Sequence, residues 1–186
     1  VRSWLDAGLR PAPVAVNISA VEFRQKGFLE GVALILDETG LAPAYLELEL
    51  TESILMQDAE ASASVLETLK TMGVKLAIDD FGTGYSSLSY LQRFPIDTLK
   101  IDRSFVRDII TDADAATIVS AVIGMGRNLQ QRVIAEGVET SEQLTFLRAH
   151  QCDEGQGFLF SRPLSAEDFG RLLVAGKDPV RAQLSG

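Results

Sequence analysis

The sequence is poor in cysteine, in histidine and in long apolar runs. Its one cysteine, Cys152, excludes an internal disulfide framework and fits a reducing compartment. Its one histidine, His150, ends a helical pattern, so zinc held by histidine and cysteine is not expected. No apolar run approaches the roughly 18 residues that cross a membrane, and no signal peptide is visible. We therefore expect a cytoplasmic domain, or the cytoplasmic part of a membrane-anchored protein.

Basic residues are also scarce, with 17 lysines and arginines against 26 acidic residues and a net charge of −9. This balance argues against binding a DNA or RNA duplex through a basic face. It is compatible with an anionic substrate held by metal ions, because the ions invert the local charge. The 186 residues, 46% of them hydrophobic, are enough for one globular domain with a sizeable core.

Short apolar runs alternate with helical patterns along the chain. The predicted strands are Val14–Asn17, Tyr45–Leu50, Val74–Asp79, Thr98–Ile101, Arg132–Glu136 and Glu154–Gly157. The predicted helices are Gly27–Thr39, Asp58–Met72, Ser86–Phe94, Ala113–Leu129, Glu142–His150 and Ser165–Val174. Strands that are apolar on both faces and separated by helices are typical of a parallel sheet in an α/β fold.

Six strands leave two architectures open. A β/α barrel closes with eight strands, so a barrel-forming chain would lack its first strands, and those would precede Val1. An open doubly wound sheet accepts six strands, but it normally places a glycine-rich loop after the first one. Here Asn17 to Ala20 follow that strand instead. We assign residues 1–175 to the domain and residues 176–186 to a polar tail that should fray.

Polar or charged side chains lie where each predicted strand ends. They are Asn17, Glu49, Glu52, Asp79, Asp80, Lys100, Asp102, Glu136, Glu139 and Gln156. In a β/α barrel the carboxyl ends of the strands converge on the face that carries the active site. Any one of these residues could be a helix cap or a solvated loop residue. Because all six strands share the feature, we interpret the set as one functional site.

The ligands that this set offers are hard oxygens, which suit magnesium, manganese or calcium. The adjacent Asp79 and Asp80 repel each other unless a cation or strong hydrogen-bond donors lie beside them. Two such aspartates can serve two ions, and two-ion sites support in-line displacement at phosphorus. Lys100 could orient the attacking water or offset the charge that develops on the phosphoryl oxygens.

These motifs resemble those of the EAL-domain family of cyclic di-GMP phosphodiesterases. The matching stretches are Val16–Ser19, Glu49–Ser53, Asp79–Leu88, Leu99–Asp102, Ala135–Glu139 and Gln156–Leu164. The resemblance extends from about Val14 to Val174, and its most specific part is Asp-Asp-Phe-Gly-Thr-Gly-Tyr-Ser-Ser-Leu. It implies a TIM-like (β/α) barrel of the EAL type, with one antiparallel strand near its start and the first strands missing from this chain. The implied activity is metal-dependent hydrolysis of cyclic di-GMP to linear pGpG in bacterial signalling.

The resemblance also implies a role for each matching residue. Two Mg²⁺ or Mn²⁺ ions would be bound by Asn17, Glu49, Asp79 and Asp80. Lys100 would contact the attacking water, Glu136 would hold the water shell of the metal, and Glu52 would anchor the loop after Asp80 and couple it to dimer contacts. Substrate contacts would come from Arg103, Glu139, Gln156 and Phe158, with Gln156 also supporting the water shell.

The Glu-Ala-Leu tripeptide that names the family is absent from this sequence, and the resemblance places it before Val1. Its glutamate is a metal ligand in the family, so the fragment alone should be inactive. The alternative is a non-catalytic cyclic di-GMP receptor that signals by conformational change. The resemblance further implies a homodimer formed through the barrel, and upstream sensor or GGDEF domains in the full-length protein.

Overall fold

A computed structural model describes residues 1–83, 88–175 and 182–184. The chain divides into two compact units, one of Val1–Ile78 and Gly84–Asp97, the other of Asp79–Thr83 and Thr98–Gly186. Strand β3 (Lys75–Phe81) begins in the first unit and ends in the second. Among the described residues, no helix is both long enough and apolar enough to cross a membrane.

The first unit alternates strands and helices as predicted. Besides the start of β3, its elements are α1 (Arg2–Asp6), β1 (Val14–Asn17), α2 (Ala20–Phe23), α3 (Phe28–Thr39), β2 (Leu46–Thr51), α4 (Glu52–Met56), α5 (Ala59–Met72) and α6 (Leu88–Arg93). Strands β1 and β2 pair in parallel, with Asn17 opposite Glu49. The core includes the fully buried Leu50, Leu66 and Leu69, which bring the apolar sides of β2 and α5 out of water.

Helix boundaries in this unit follow capping chemistry. The Asp58 side chain accepts a hydrogen bond from Ala61 N at the start of α5, and Gly73 ends that helix in the left-handed conformation. Asp97 fixes the start of β3, because its Oδ2 accepts from Leu76 N at 2.9 Å. Its Oδ1 lies 2.7 Å from Lys70 Nζ. These contacts hold the start of β3, the strand whose carboxyl end carries Asp79 and Asp80.

The second unit carries the remaining strands and helices. They are β4 (Thr98–Ile101), α7 (Arg103–Asp108), α8 (Ala113–Asn128), β5 (Arg132–Glu136), α9 (Ser141–Ala149), β6 (Glu154–Gln156), α10 (Ala166–Val174) and β7 (Ala182–Gln183). Strands β4, β5 and β6 are parallel neighbours in that order. Buried Val119 and Ile123 stand one turn apart on α8 and present an apolar face.

The carboxyl-terminal segment differs from the expected fraying tail. Ala182 and Gln183 form β7, which pairs antiparallel with β6. Leu184 is buried, and its amide donates to Asp153 O at 2.8 Å. The sequence gives no sign of this strand because two residues show no periodicity, and their partner lies almost 30 residues earlier in the chain. The rest of the predicted tail, and the start of the predicted helix Ser86–Phe94, lie outside the described residues.

Candidate active site

The end of β3 presents Asp79 and Asp80 in an unusual backbone geometry. Asp80 has φ of 52°, in the left-handed region that few residues other than glycine adopt. Its amide donates to Asp79 Oδ1 at 3.0 Å. A regular strand sends adjacent side chains to opposite faces, and the positive φ of Asp80 departs from that strand geometry. Residues with such strained backbone concentrate at functional sites.

Lys100 on β4 lies between two carboxylates. Only 4% of Lys100 is exposed. Its Nζ lies 3.1 Å from Asp79 Oδ1 and 2.7 Å from Glu136 Oε1. The register explains the second contact, since Lys100 pairs with Ile134 and Glu136 stands two residues further along the same face of β5. The structure therefore brings together three of the predicted site residues, with the lysine charge at the centre.

Asp102 joins this cluster, a contact that the sequence did not predict. A hydrogen bond links its carboxyl group to that of Asp80. Burial, this hydrogen bond and the charges of Asp79, Asp102 and Glu136 raise the pKa of Asp80. At Asp102, burial acts to raise the pKa, but hydrogen bonds from the Ser104 hydroxyl and amide outweigh it and lower the pKa. The hydrogen bond therefore ties the end of β3 to the start of α7.

Gln156 extends the same polar face to β6. It stands opposite Glu136 in the parallel register. At the other end of these strands, Arg132 Nη2 donates to Thr98 Oγ1 at 2.9 Å, and Arg132 Nη1 lies 3.2 Å from Glu154 Oε1. Ile134 separates the two polar layers on β5. The alternation of side chains along each strand thus places an ion-pair network at each end, and only the carboxyl end holds the predicted site residues.

Three predicted substrate contacts lie on loops and helix ends of the second unit. Arg103 is the first residue of α7 and is exposed, and Glu139 is exposed after β5. Phe158 is 57% exposed, and the Arg162 guanidinium carbon lies 5.2 Å from its ring centroid. Exposed polar and aromatic groups of this kind are suited to contacting a ligand, and the Arg162 contact restrains the Phe158 ring.

The first unit holds the other predicted metal ligands. Asn17 is exposed at the end of β1 and stands opposite Glu49, of which 5% is exposed. The amide of Ile18 donates to Glu49 O at 2.9 Å, so the ends of the two strands are fixed to each other. Asn17 and Glu49 are therefore neighbours on adjacent strands.

Glu52 has an environment unlike that of the other carboxylates. It is 3% exposed, and neither of its carboxylate oxygens has a hydrogen-bond partner among the residues that the structure describes. A buried polar group without a partner costs about 1–3 kcal/mol of stability. This cost is typical of a group that is kept for function and not for folding.

We predict that Glu52→Met increases the free energy of unfolding by about 1–3 kcal/mol, because methionine fills nearly the same volume and needs no hydrogen bond. Urea denaturation of the variant and the wild type measures the change. The exposed Glu30 provides a control, since Glu30→Met should change stability by less than about 0.5 kcal/mol. A loss of stability in Glu52→Met would show that the carboxylate contributes to the fold.

The donor set suits a hard divalent cation, although no ready metal cage is formed. Within residues 1–83, 88–175 and 182–184, no three His, Cys, Asp or Glu side chains form a group that could hold a metal ion. The ammonium of Lys100 offsets part of the negative charge of Asp79 and Glu136. The predicted ligands nevertheless offer carboxylate and amide oxygens, the ligands that magnesium and manganese prefer; they are Asn17, Glu49, Asp79 and Asp80.

Sequence comparison identifies relatives that match most of the chain. The profile of the EAL domain matches residues 1–163. The chain is 49% identical over 167 residues to the bifunctional diguanylate cyclase/cyclic di-GMP phosphodiesterase MucR of Pseudomonas aeruginosa, covering 90% of this chain and 24% of MucR. It spans 21% to 28% of the length of the curated relatives that it matches.

Solved structures agree with this match. The MucR phosphodiesterase in complex with cyclic di-GMP superposes with a TM-score of 0.88 at 49% identity, over 90% of this chain and 68% of that one. The EAL domain of Mycobacterium smegmatis DcpA gives 0.90 at 42% identity, over 96% and 80%. Klebsiella pneumoniae BlrP1 with manganese and cyclic di-GMP gives 0.74 at 38% identity, over 81% and 39%, and it has also been solved with calcium. These matches confirm the predicted EAL-type fold, and the chain belongs to the EAL domain family.

Proposed function

We propose that the protein containing this chain hydrolyses cyclic di-GMP to linear pGpG with the help of divalent cations. The observation that carries the proposal is the buried Lys100, held between Asp79 and Glu136 where β3, β4 and β5 end. A lysine enclosed in this way presents a fixed positive charge, which is what a reaction at a phosphodiester requires. The MucR and BlrP1 structures with cyclic di-GMP support this choice of substrate.

The proposed hydrolysis forms one P–O bond and breaks another. The oxygen of a water molecule bonds to phosphorus, one ester P–O bond breaks, and the proton that the attacking water gives up balances the one that the leaving oxygen takes up to become a hydroxyl group. We assign to Lys100 the orientation of the water and the stabilisation of charge on the phosphoryl oxygens. Glu136, paired with Lys100 at 2.7 Å, holds the ammonium group in place and supports the water shell together with Gln156.

Divalent cations would be held by Asn17, Glu49, Asp79 and Asp80, and would supply Lewis-acid stabilisation of the phosphoryl oxygens. The oxygen donors and the mutual repulsion of the aspartates support this assignment. BlrP1 structures with manganese and with calcium show that a relative accepts divalent ions. Mg²⁺ or Mn²⁺, two ions per site, is our proposal for this chain.

Arg103, Glu139 and Phe158 would contact the dinucleotide away from the reacting phosphorus. Arg103 can pair with a phosphate, Glu139 can accept hydrogen bonds from a guanine edge, and the exposed Phe158 ring can stack on a base. Glu52 would couple the segment after Asp80 to a homodimer interface, and its buried, unpartnered carboxylate among the described residues supports a role beyond folding.

A second function is favoured by one observation. Among the described residues, no group of three His, Cys, Asp or Glu side chains could hold a metal ion, and the Lys100 ammonium lies beside both Asp79 and Glu136. A non-catalytic receptor that binds cyclic di-GMP and signals by a conformational change would need no such group. The retention of Lys100, both aspartates, Asn17 and Glu49 supports the enzyme over the receptor.

The full-length protein is expected to hydrolyse cyclic di-GMP with Mg²⁺ or Mn²⁺, to lose activity with EDTA, and to be inhibited by Ca²⁺. Calcium accepts longer and less regular coordination than magnesium and positions the reactants less strictly. Chromatographic separation of pGpG from substrate measures each rate. Binding of cyclic di-GMP without hydrolysis under every ion would establish the receptor, and equal rates with calcium and magnesium would contradict the metal assignment.

A further inference from the structure

Gln143, in the first turn of α9, has no role in the proposed hydrolysis, yet both the oxygen and the nitrogen of its side-chain amide form hydrogen bonds. It is 5% exposed. Its Oε1 accepts from Glu139 N at 2.8 Å and from Thr140 N at 3.0 Å. Its Nε2 donates to Arg107 O at 3.3 Å. Burying an amide is costly unless its hydrogen bonds are made, and here the amide joins two separate segments.

The first segment is the loop from Glu136 to Thr140. Val138, which is fully buried, donates from its amide to Gln156 O at 3.0 Å and accepts at its carbonyl from Leu159 N at 3.0 Å. This side of the loop is tied to the segment that carries Phe158. On the other side, Gln143 supplies the hydrogen bonds that fix the amides of Glu139 and Thr140.

The second segment is α7, which the loop meets at two points. Gly137 has φ of 71° and packs so closely that a Cβ built there would lie 2.7 Å from Arg103 Cβ. One helical turn later, the Arg107 carbonyl receives the Gln143 amide. Residues four apart lie on the same face of a helix, so one face of α7 is held against the loop at both ends. The C-terminal carbonyls of a helix lack partners within it, and Gln143 satisfies one of them.

We propose that Gln143 is a positioning residue for the substrate: it fixes the Glu139 backbone relative to the helix that carries Arg103. The inference rests on the proposed function, because Glu139 and Arg103 are the groups assigned there to the dinucleotide. Neither group touches the reacting phosphorus in that assignment. The contacts that Gln143 positions should therefore stabilise the bound substrate and the transition state equally. Weakening such contacts raises KM and leaves kcat unchanged.

The test uses the full-length protein and cyclic di-GMP. Gln143→Met removes all three side-chain hydrogen bonds at nearly constant volume, and we expect KM to rise about tenfold with kcat within about twofold of wild type. Gln143→Glu keeps the acceptor for the Glu139 and Thr140 amides but replaces the donor to Arg107 O by a carboxylate oxygen that repels that carbonyl, so its KM should rise as well. Thr140→Val is the matched control, because it removes the hydroxyl that caps α9 at 3.3 Å from Gln143 N and leaves the side-chain bridge intact.

The outcomes separate this role from a structural one. Gln143→Met and Thr140→Val should both lower the melting temperature, but only the first should raise KM. Equal KM in all variants, or a rise in Thr140→Val that matches Gln143→Met, would overturn the positioning role while leaving the proposed function in place. A fall in kcat without a change in KM would also overturn it. A wild-type protein that neither binds nor hydrolyses cyclic di-GMP would overturn the proposed function, and this role with it.

Discussion

Lys100→Ala is expected to lower kcat about a hundred- to thousandfold, while the dissociation constant for cyclic di-GMP stays within about threefold of wild type. The side chain is 4% exposed and its ammonium lies within ion-pair distance of Asp79 and Glu136, so its position is fixed before substrate arrives. A preorganised charge of this kind stabilises the transition state more than the ground state, which is why turnover falls and binding does not.

Single-turnover hydrolysis and calorimetric titration measure the two quantities in the full-length protein. The exposed Lys26 provides the matched control, since Lys26→Ala removes the same side chain where it faces solvent. Thermal denaturation checks that the Lys100 variant is folded, because removing the cation leaves Asp79 and Glu136 without their shared partner. Hydrolysis at the wild-type rate by a folded Lys100→Ala protein would make Lys100 a structural residue.

Much of the second unit could be predicted from the sequence because its strands are apolar and clearly bounded. The predicted bounds of Thr98–Ile101 and Arg132–Glu136 match β4 and β5. The period of two places Glu136 on the same face as Ile134, and the parallel register, in which Ile134 pairs with Lys100, then brings Glu136 to the face of Lys100. The short helix α7 was not predicted, because six residues are too few to show a helical repeat.

The sequence predicts which residues belong to the site better than it predicts the contacts among them. The Asp80–Asp102 hydrogen bond joins residues far apart in the sequence, and nothing in an Asp-Asp-Phe sequence requires the positive φ of Asp80. The absence of a partner for Glu52 among the described residues depends on packing around α4, which a local pattern does not encode. Gln143 was missed for a related reason. A Thr-x-x-Gln capping box is visible in the sequence, but the bond from Gln143 to Arg107 O joins residues 36 apart.

Asp79→Asn is expected to reduce turnover at least about a hundredfold at a fixed, low concentration of Mn²⁺, through a route different from that of Lys100→Ala. Asparagine keeps an oxygen that can accept from Asp80 N, as Asp79 Oδ1 does at 3.0 Å, so the turn at the end of β3 should persist. The substitution removes one negative charge from the proposed ligand set, which weakens its attraction for a divalent cation.

Metal titration distinguishes the two variants. Activity of Asp79→Asn should rise as Mn²⁺ is increased, with a half-saturating concentration well above that of wild type, whereas activity of Lys100→Ala should stay low at every concentration. Asp37→Asn, an exposed carboxylate on α3, is the control and should titrate like wild type. If Asp79→Asn reaches wild-type activity at the wild-type Mn²⁺ concentration, Asp79 serves mainly as the ion-pair partner of Lys100 and is not a metal ligand.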